Sequence, residues 1–211
     1  MSAKPVRKPR YLLGSALGVL VLLAVFLFRF VFAAPSYDAV KIAEAETKMW
    51  QAYYSGDQIQ LGFHLVGLLR SQYGLSLLEA KAIGEALARA AIAFLSAKGN
   101  YEQVALPDLI QAYSLIQSET GASFDPEEVA KAELAWWIAR RTPGEDSPEQ
   151  VGEKIARQYI LLYGLDEPSF HEAGLLRARA ARLRDLSGAT ADWAQVENLL
   201  IESYSVLAEA I

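Results

Sequence analysis

The feature that most constrains this chain is an uncharged apolar segment near its beginning. The 18 residues from Tyr11 to Phe28 carry no charge, and after Arg29 the apolar run continues to Ala34. A helix over residues 11–34 would rise roughly 36 Å, which exceeds the roughly 30 Å hydrocarbon core of a membrane. The segment therefore predicts one transmembrane helix, with Arg29 close enough to its end to reach the interfacial region.

The charges that flank this segment predict its orientation. Four basic residues precede it without an acidic residue, whereas the cations that follow are mixed with Asp and Glu. Because positively charged flanks stay in the cytoplasm, residues 1–10 are predicted to be a cytoplasmic tail and residues 35–211 an extracytoplasmic domain at the plasma (inner) membrane. The basic residues are Lys4, Arg7, Lys8 and Arg10.

A cleaved signal peptide is the alternative reading of the same segment. Ala33 and Ala34 are small enough for a cleavage site, and a basic start precedes the apolar run. The run is longer than the roughly 7 to 15 apolar residues of most signal peptides, and Pro35 directly follows the candidate site. We therefore expect an uncleaved single-pass signal-anchor.

Two glycines within the apolar segment have the spacing of a helix-packing motif. Gly14 and Gly18 form a Gly-x-x-x-Gly pair, which lets two membrane helices approach closely. This pattern makes a homodimer a candidate assembly. It is common in transmembrane segments, so it identifies no particular partner.

The composition of residues 35–211 excludes several kinds of site. This region holds 15 Lys and Arg residues against 25 Asp and Glu residues, a formal net charge of −10, so no nucleic-acid partner is expected. The chain has no cysteine, which excludes disulfides, thiol nucleophiles and cysteine-based metal sites. The two histidines, His64 and His171, lack the Glu-x-x-His spacing of di-iron bundles. No metal and no cofactor is predicted.

Helix start and stop signals predict an all-α fold for the same region. Ser76 with Glu79 has capping-box spacing, and Pro126 and Pro148 each follow a capping residue at the first helical position. Gly74 and Gly164 each lie between a Tyr and a Leu, where glycine closes helices. With no alternation typical of strands, the pattern predicts a bundle of about six to seven helices.

Two helix boundaries are less sharply marked in the sequence. A long first helix is predicted over residues 38–73, with a candidate break at residues 55–57, where Ser-Gly-Asp occurs. A later helix is predicted to begin at about Pro107 and to end at about Glu119, because proline is favoured in the first turn of a helix.

One polar and aromatic cluster is the strongest candidate for a site. Glu46, Trp50 and Tyr53 share a helix face by the three-and-four rule, and Glu133, Trp137 and Arg140 share another. If these faces meet, they form either a ligand pocket with a perturbed carboxyl or an aromatic core with hydrogen-bonded polar tips. The predicted cluster comprises Glu46, Trp50, Tyr53, Tyr54, Glu133, Trp137 and Arg140.

The sequence carries no catalytic motif, so function is inferred from location and fold. A tethered helical domain without a strong chemical site favours an interaction or scaffold module that binds other cell-envelope proteins. The alternative is a small-ligand binder or hydrolase that uses Glu46 or Glu133 in an aromatic-lined pocket. An enclosed pocket lined by these carboxylates would favour the alternative.

Overall fold

The computed structural model describes residues 37–211, and within them the fold is entirely α-helical. The predicted all-α fold is therefore confirmed for this region, which contains no strand. It contains eight α-helices and one short 3₁₀ turn, Gly188–Thr190, so the predicted six to seven helices were too few. The helices are α1 (Ala39–Ser55), α2 (Gln58–Tyr73), α3 (Leu77–Ser96), α4 (Tyr101–Thr120), α5 (Pro126–Ala139), α6 (Pro148–Tyr163), α7 (Pro168–Ser187) and α8 (Trp193–Ala208).

The helix ends follow from local chemistry. Ser76 and Glu79 form a complete capping box at the start of α3, and the Asp125 carboxylate accepts two backbone N–H groups at the start of α5. These bonds satisfy donors that a helix start otherwise leaves unpaired. At the end of α2, Gly74 has a φ of 65°, the left-handed conformation that glycine adopts without a side-chain penalty, and Leu75 is buried beside it.

The extra helix arises because the predicted first helix is divided. Gly56 has a φ of 75° and ends α1, and the Asp57 side chain then caps α2. The candidate break at residues 55–57 is thus a chain reversal. The prediction for α4 was also wrong at its start: α4 begins at Tyr101 and contains Pro107. The helix tolerates this proline although it cannot donate a backbone hydrogen bond.

The eight helices form a closed ring. Each helix packs against its neighbours in the chain, and α8 packs against α1 to close the circle. The connections are short, so neighbouring helices run antiparallel. The C-terminal ends of the odd-numbered helices therefore lie at one end of the ring, together with the start of α2. We call this end the opening.

Two large buried clusters and a small third cluster, which joins α1 to α2, form the core. One large cluster joins α1 with α5 to α8 and one residue of α2, and it includes Ile42, Ile155 and Leu200. A second joins α2 to α5 with one residue of α6, and includes Ile83 and Leu109. Between these clusters, the middle of the ring is not fully packed.

The predicted transmembrane helix over residues 11–34, with Gly14 and Gly18, lies outside the described residues. Among helices α1 to α8, none is long and apolar enough to cross a membrane.

Candidate functional site

A cavity of about 270 Å³ lies inside the ring. Side chains from α1 to α7 line it, so it is central to the fold. One wall is apolar and comes mainly from α2, which contributes Leu61, Leu65 and Leu68. The opposite wall is polar and aromatic and comes mainly from α5 to α7. The volume approaches the roughly 300 to 1,000 Å³ of ordinary small-molecule sites. We call this space the central cavity.

A chain of hydrogen bonds in the polar wall ends on Glu133. The indole N–H of Trp136 donates to Gln158 Oε1 at 2.9 Å, and Gln158 Nε2 donates to the Tyr113 hydroxyl at 2.6 Å. The Tyr113 hydroxyl donates in turn to Glu133 Oε2 at 2.5 Å. This chain joins α4, α5 and α6 and holds the Glu133 carboxyl on the cavity wall.

Burial raises the pKa of Glu133 above the usual range of a glutamic acid. The nearby Glu46 charge acts in the same direction, whereas the Tyr113 hydroxyl, the Arg177 charge and Trp137 act in the opposite one. Desolvation is the largest of these causes, because a charged carboxyl loses its hydration when it is enclosed. Glu133 therefore keeps its proton to a higher pH than a carboxyl in water.

A second polar group lies behind the cavity wall and contains the most deeply buried charge. The Glu46 side chain is 0% exposed and is bound by the Arg177 guanidinium, with distances to Oε1 of 3.1 Å from Nε and 2.5 Å from Nη2. The Tyr204 hydroxyl donates to Glu46 Oε2 at 2.6 Å. These contacts join α1, α7 and α8, the helices that close the ring. Arg177 itself reaches the cavity, and its guanidinium lies 5.0 Å from the Trp136 ring centre.

One buried hydroxyl on the cavity wall lacks a hydrogen bond. Tyr159 is 2% exposed and lines the cavity, and its hydroxyl has no hydrogen-bond partner within residues 37–211. Arg177 and Ser203 are close to it, but neither meets hydrogen-bond geometry. Buried hydroxyls are usually satisfied, so this group is suited to a ligand or to water in the cavity.

The opening is bordered by an ion pair that joins three helices. Arg140 forms several hydrogen bonds to the Asp185 carboxylate, at distances from 2.9 to 3.1 Å, and donates to the Tyr54 hydroxyl at 2.8 Å. These hydrogen bonds join the end of α5 to α7 and α1. The Arg184 guanidinium lies 3.3 Å from the centre of the Tyr54 ring. Tyr54 is thereby held at the edge of the cavity by one arginine over its ring and another at its hydroxyl.

A second arginine borders the opening on the other side. Arg141 donates to the backbone carbonyl of Phe94 at 2.7 Å, and its guanidinium lies 4.0 Å from the Phe94 ring centre. It also approaches the Tyr53 hydroxyl at 3.5 Å. Because Arg141 is exposed to solvent and also lines the cavity, this end is the entry side.

The structure brings most of the predicted cluster together on the cavity wall. Six of its seven members line the cavity, and they come from α1, from α5 and from the residue that directly follows α5. Glu46 is the exception, because it lies behind the wall, bound to Arg177. The six are Trp50, Tyr53, Tyr54, Glu133, Trp137 and Arg140.

Several important partners were not part of the predicted cluster. Tyr113 on α4, Gln158 on α6 and Asp185 on α7 contribute bonds that define the site. No local spacing relates these residues to Glu133 or Arg140. Arg177 on α7 was also not part of the predicted cluster, and its partner is Glu46. Among the described residues there is no group of three or more side chains suited to a metal ion.

The fold and site define a class of protein: a closed ring of eight antiparallel helices around a small cavity with one apolar wall and one polar wall. No known family model matches the chain, and comparisons with curated proteins and with solved structures give no match.

Proposed function

We propose that this protein is a membrane-tethered module of the cell envelope that binds a small ligand inside its central cavity. The observation that carries the proposal is the cavity itself, which combines an apolar wall on α2 with a polar wall that holds Glu133 and Arg177. Protein interiors are normally packed as densely as organic crystals, so an unfilled space with arranged polar groups favours binding over a purely structural core.

The polar groups favour binding over hydrolysis. Carboxylate-based glycan hydrolysis needs two carboxyls that flank one bond. Glu46 has no access to the cavity, and Asp185 is at the opening, bound to Arg140. Glu133 is thus the one carboxyl deep in the cavity wall formed by the described residues. A single carboxyl supports recognition of a ligand more readily than this two-carboxyl reaction.

The proposed location rests on the sequence of the first 34 residues. Residues 11–34 would span the membrane, the basic residues 1–10 would stay in the cytoplasm, and the ring would face the extracytoplasmic side. Other envelope proteins are the proposed partners, because a tethered binder that receives or delivers a ligand needs a donor or an acceptor. A pair of chains joined through Gly14 and Gly18 is the proposed assembly.

The proposed topology can be tested because the chain has no cysteine. We compare Ser2→Cys with Ser118→Cys, which lies at an exposed position of α4, using a membrane-impermeant maleimide on intact spheroplasts. Ser118→Cys is expected to react without permeabilisation, and Ser2→Cys only after it. Reaction of Ser2→Cys alone in intact spheroplasts would contradict the orientation. A mature chain that lacks residue 2 would establish the signal-peptide alternative.

The proposed binding site can be tested by filling the cavity. Phenylbutanol, which has an apolar ring and a neutral polar end, is expected to stabilise the full chain in detergent micelles. At a concentration about tenfold above its Kd, the expected rise in Tm is about 3 to 6 °C. Ala91→Phe should abolish this rise, because Ala91 lines the cavity and a larger side chain would occupy it.

The matched control is Ala82→Phe, which adds the same ring at an exposed position of the same helix. This variant should keep the full rise in Tm. Circular dichroism of both variants checks that the helical fold is retained. An equal rise in Tm for Ala91→Phe and the unsubstituted chain would place phenylbutanol elsewhere and contradict the proposed site.

A further inference from the structure

The charges around the central cavity are unevenly matched. Arg140 is paired with Asp185, and Arg177 is paired with Glu46. Arg141, the third arginine in the lining, is exposed at the opening and binds the backbone carbonyl of Phe94.

Glu133 forms no ion pair with any residue of the described region. The neutral Tyr113 hydroxyl and Trp137 lie against its carboxyl, and the Arg177 charge acts on it from farther away. Glu133 is therefore the carboxyl in the cavity wall that has no ion pair among the described residues.

The carboxyl of Glu133 has room for another donor. Tyr113 binds Oε2, whereas a carboxylate offers about four acceptor positions over its two oxygens. Glu133 is a half-buried residue, and it lines the cavity. A ligand inside the cavity can therefore reach it.

The aromatic rings near Glu133 are also suited to a cation. Elsewhere around the cavity, arginines lie over the rings of Trp136, Phe94 and Tyr54. No cation lies over Tyr113 or Trp137 within the described residues, although both line the cavity beside Glu133. Aromatic faces next to a carboxylate are a recurring arrangement for the recognition of ammonium groups.

The opposite wall defines the rest of the ligand. Leu61, Leu65 and Leu68 lie at intervals of three and four residues on α2 and face the cavity with Leu69. These four side chains have no hydrogen-bonding group, so they suit a hydrocarbon or aromatic body. Gln72 and Tyr73 at the end of α2 add polar groups to the same lining. The volume of about 270 Å³ limits that body to a small one.

From this arrangement we infer that the ligand is a small protonated amine with an apolar body, and that Glu133 binds its ammonium group. Tyr113 and Trp137 border the ammonium group, and the leucine wall of α2 contacts the body. This inference rests on the proposed binding function and adds the chemical class of the ligand.

The test compares three probes with the same body and different polar ends: phenylbutylamine, phenylbutanol and phenylbutyrate. Thermal unfolding of the full chain in micelles at neutral pH is expected to give the largest rise in Tm with the amine and the smallest with the carboxylate. In Glu133→Gln the affinity for the amine should fall by about ten- to a hundredfold, because a charge-assisted hydrogen bond is lost. The response to phenylbutanol should change little.

The matched control is Glu102→Gln, which removes the same charge at an exposed position of α4. It should retain the preference for the amine, and this separates binding at Glu133 from general attraction of cations to an acidic protein. Glu133→Gln is expected to fold. Its amide resembles the protonated carboxyl that burial favours in the empty cavity. An ammonium group bound beside Glu133 favours the ionised carboxylate, so amine binding should strengthen as pH rises through the raised pKa of Glu133.

The outcomes separate the inference from the proposed function. Two outcomes would overturn the amine assignment alone. One is stabilisation by phenylbutanol that equals stabilisation by the amine, and the other is a preference for the amine that persists in Glu133→Gln. The largest rise in Tm with phenylbutyrate would also overturn it and would indicate that the polar end of the ligand binds Arg177. No stabilisation by any of the three probes would overturn the proposed binding function itself.

Discussion

Arg177→Met is expected to destabilise the protein by about 3 to 5 kcal/mol, because it leaves the Glu46 carboxylate buried without a cation. Glu46 is fully buried on α1, and its contacts are the Arg177 guanidinium and the Tyr204 hydroxyl. A hydroxyl alone does not compensate the desolvation of a carboxylate. Since these residues join the helices that close the ring, we expect the loss to appear in global unfolding, measured by urea denaturation followed by circular dichroism.

Two further variants distinguish this effect from general loss of an arginine. Arg89 is paired with Asp108, and the Arg89 side chain is 50% exposed. Arg89→Met should therefore change the free energy of unfolding by less than about 1 kcal/mol. The double variant Glu46→Leu with Arg177→Met removes both buried charges and should recover much of the loss. Equal losses in Arg177→Met and Arg89→Met would show that the buried pair has no special role.

Gly174→Ala is expected to destabilise the protein by about 2 to 3 kcal/mol through overpacking where α6 and α7 cross. A Cβ atom at Gly174 would lie 2.5 Å from the backbone oxygen of Gly152 and 3.0 Å from the backbone nitrogen of Ala156. Both neighbours are helix backbone and cannot turn aside as a flexible side chain could. The two helices would have to separate, and this would weaken the Glu46–Arg177 contact as well.

The control for this prediction is Gly67→Ala on α2. No atom lies within 4 Å of a Cβ atom built there, and the helical backbone suits alanine. This variant should stabilise the protein by about 0.5 to 1 kcal/mol, because alanine has the higher helix propensity. The two glycine substitutions therefore have opposite expected signs in the same urea experiment. A stabilising Gly174→Ala would mean that the crossing is looser than the structure describes.

Local sequence signals were sufficient for most of the helices. The capping residues Ser76, Asp125 and Ser147 were identified from spacing, because a cap involves groups only two or three residues apart. The short range of these signals also explains the two errors in the predicted helix boundaries. The signal at Gly56 is compatible with a kink or a full reversal, and Pro107 is compatible with a helix start or with a helix interior. In both cases tertiary packing decides the outcome.

The candidate site was partly predictable for a similar reason. Trp50 and Tyr53 share a face of α1, and Glu133 and Trp137 share a face of α5, because helical periodicity places residues three or four apart on one side. That these two faces border one cavity does not follow from periodicity. It depends on ring closure, which brings α1 and α5 together around the cavity with α4, α6 and α7.

By itself, the sequence determined the all-α class of residues 37–211, most helix ends and the residues of the two aromatic faces, because each depends on groups close together in the chain. Tertiary structure alone decided that the helices close into a ring, that Glu46 is bound by Arg177, and that Glu133 lines a cavity and has no ion pair among the described residues. Glu46 and Arg177 are 131 residues apart, and no local pattern encodes which distant side chain a buried charge will meet.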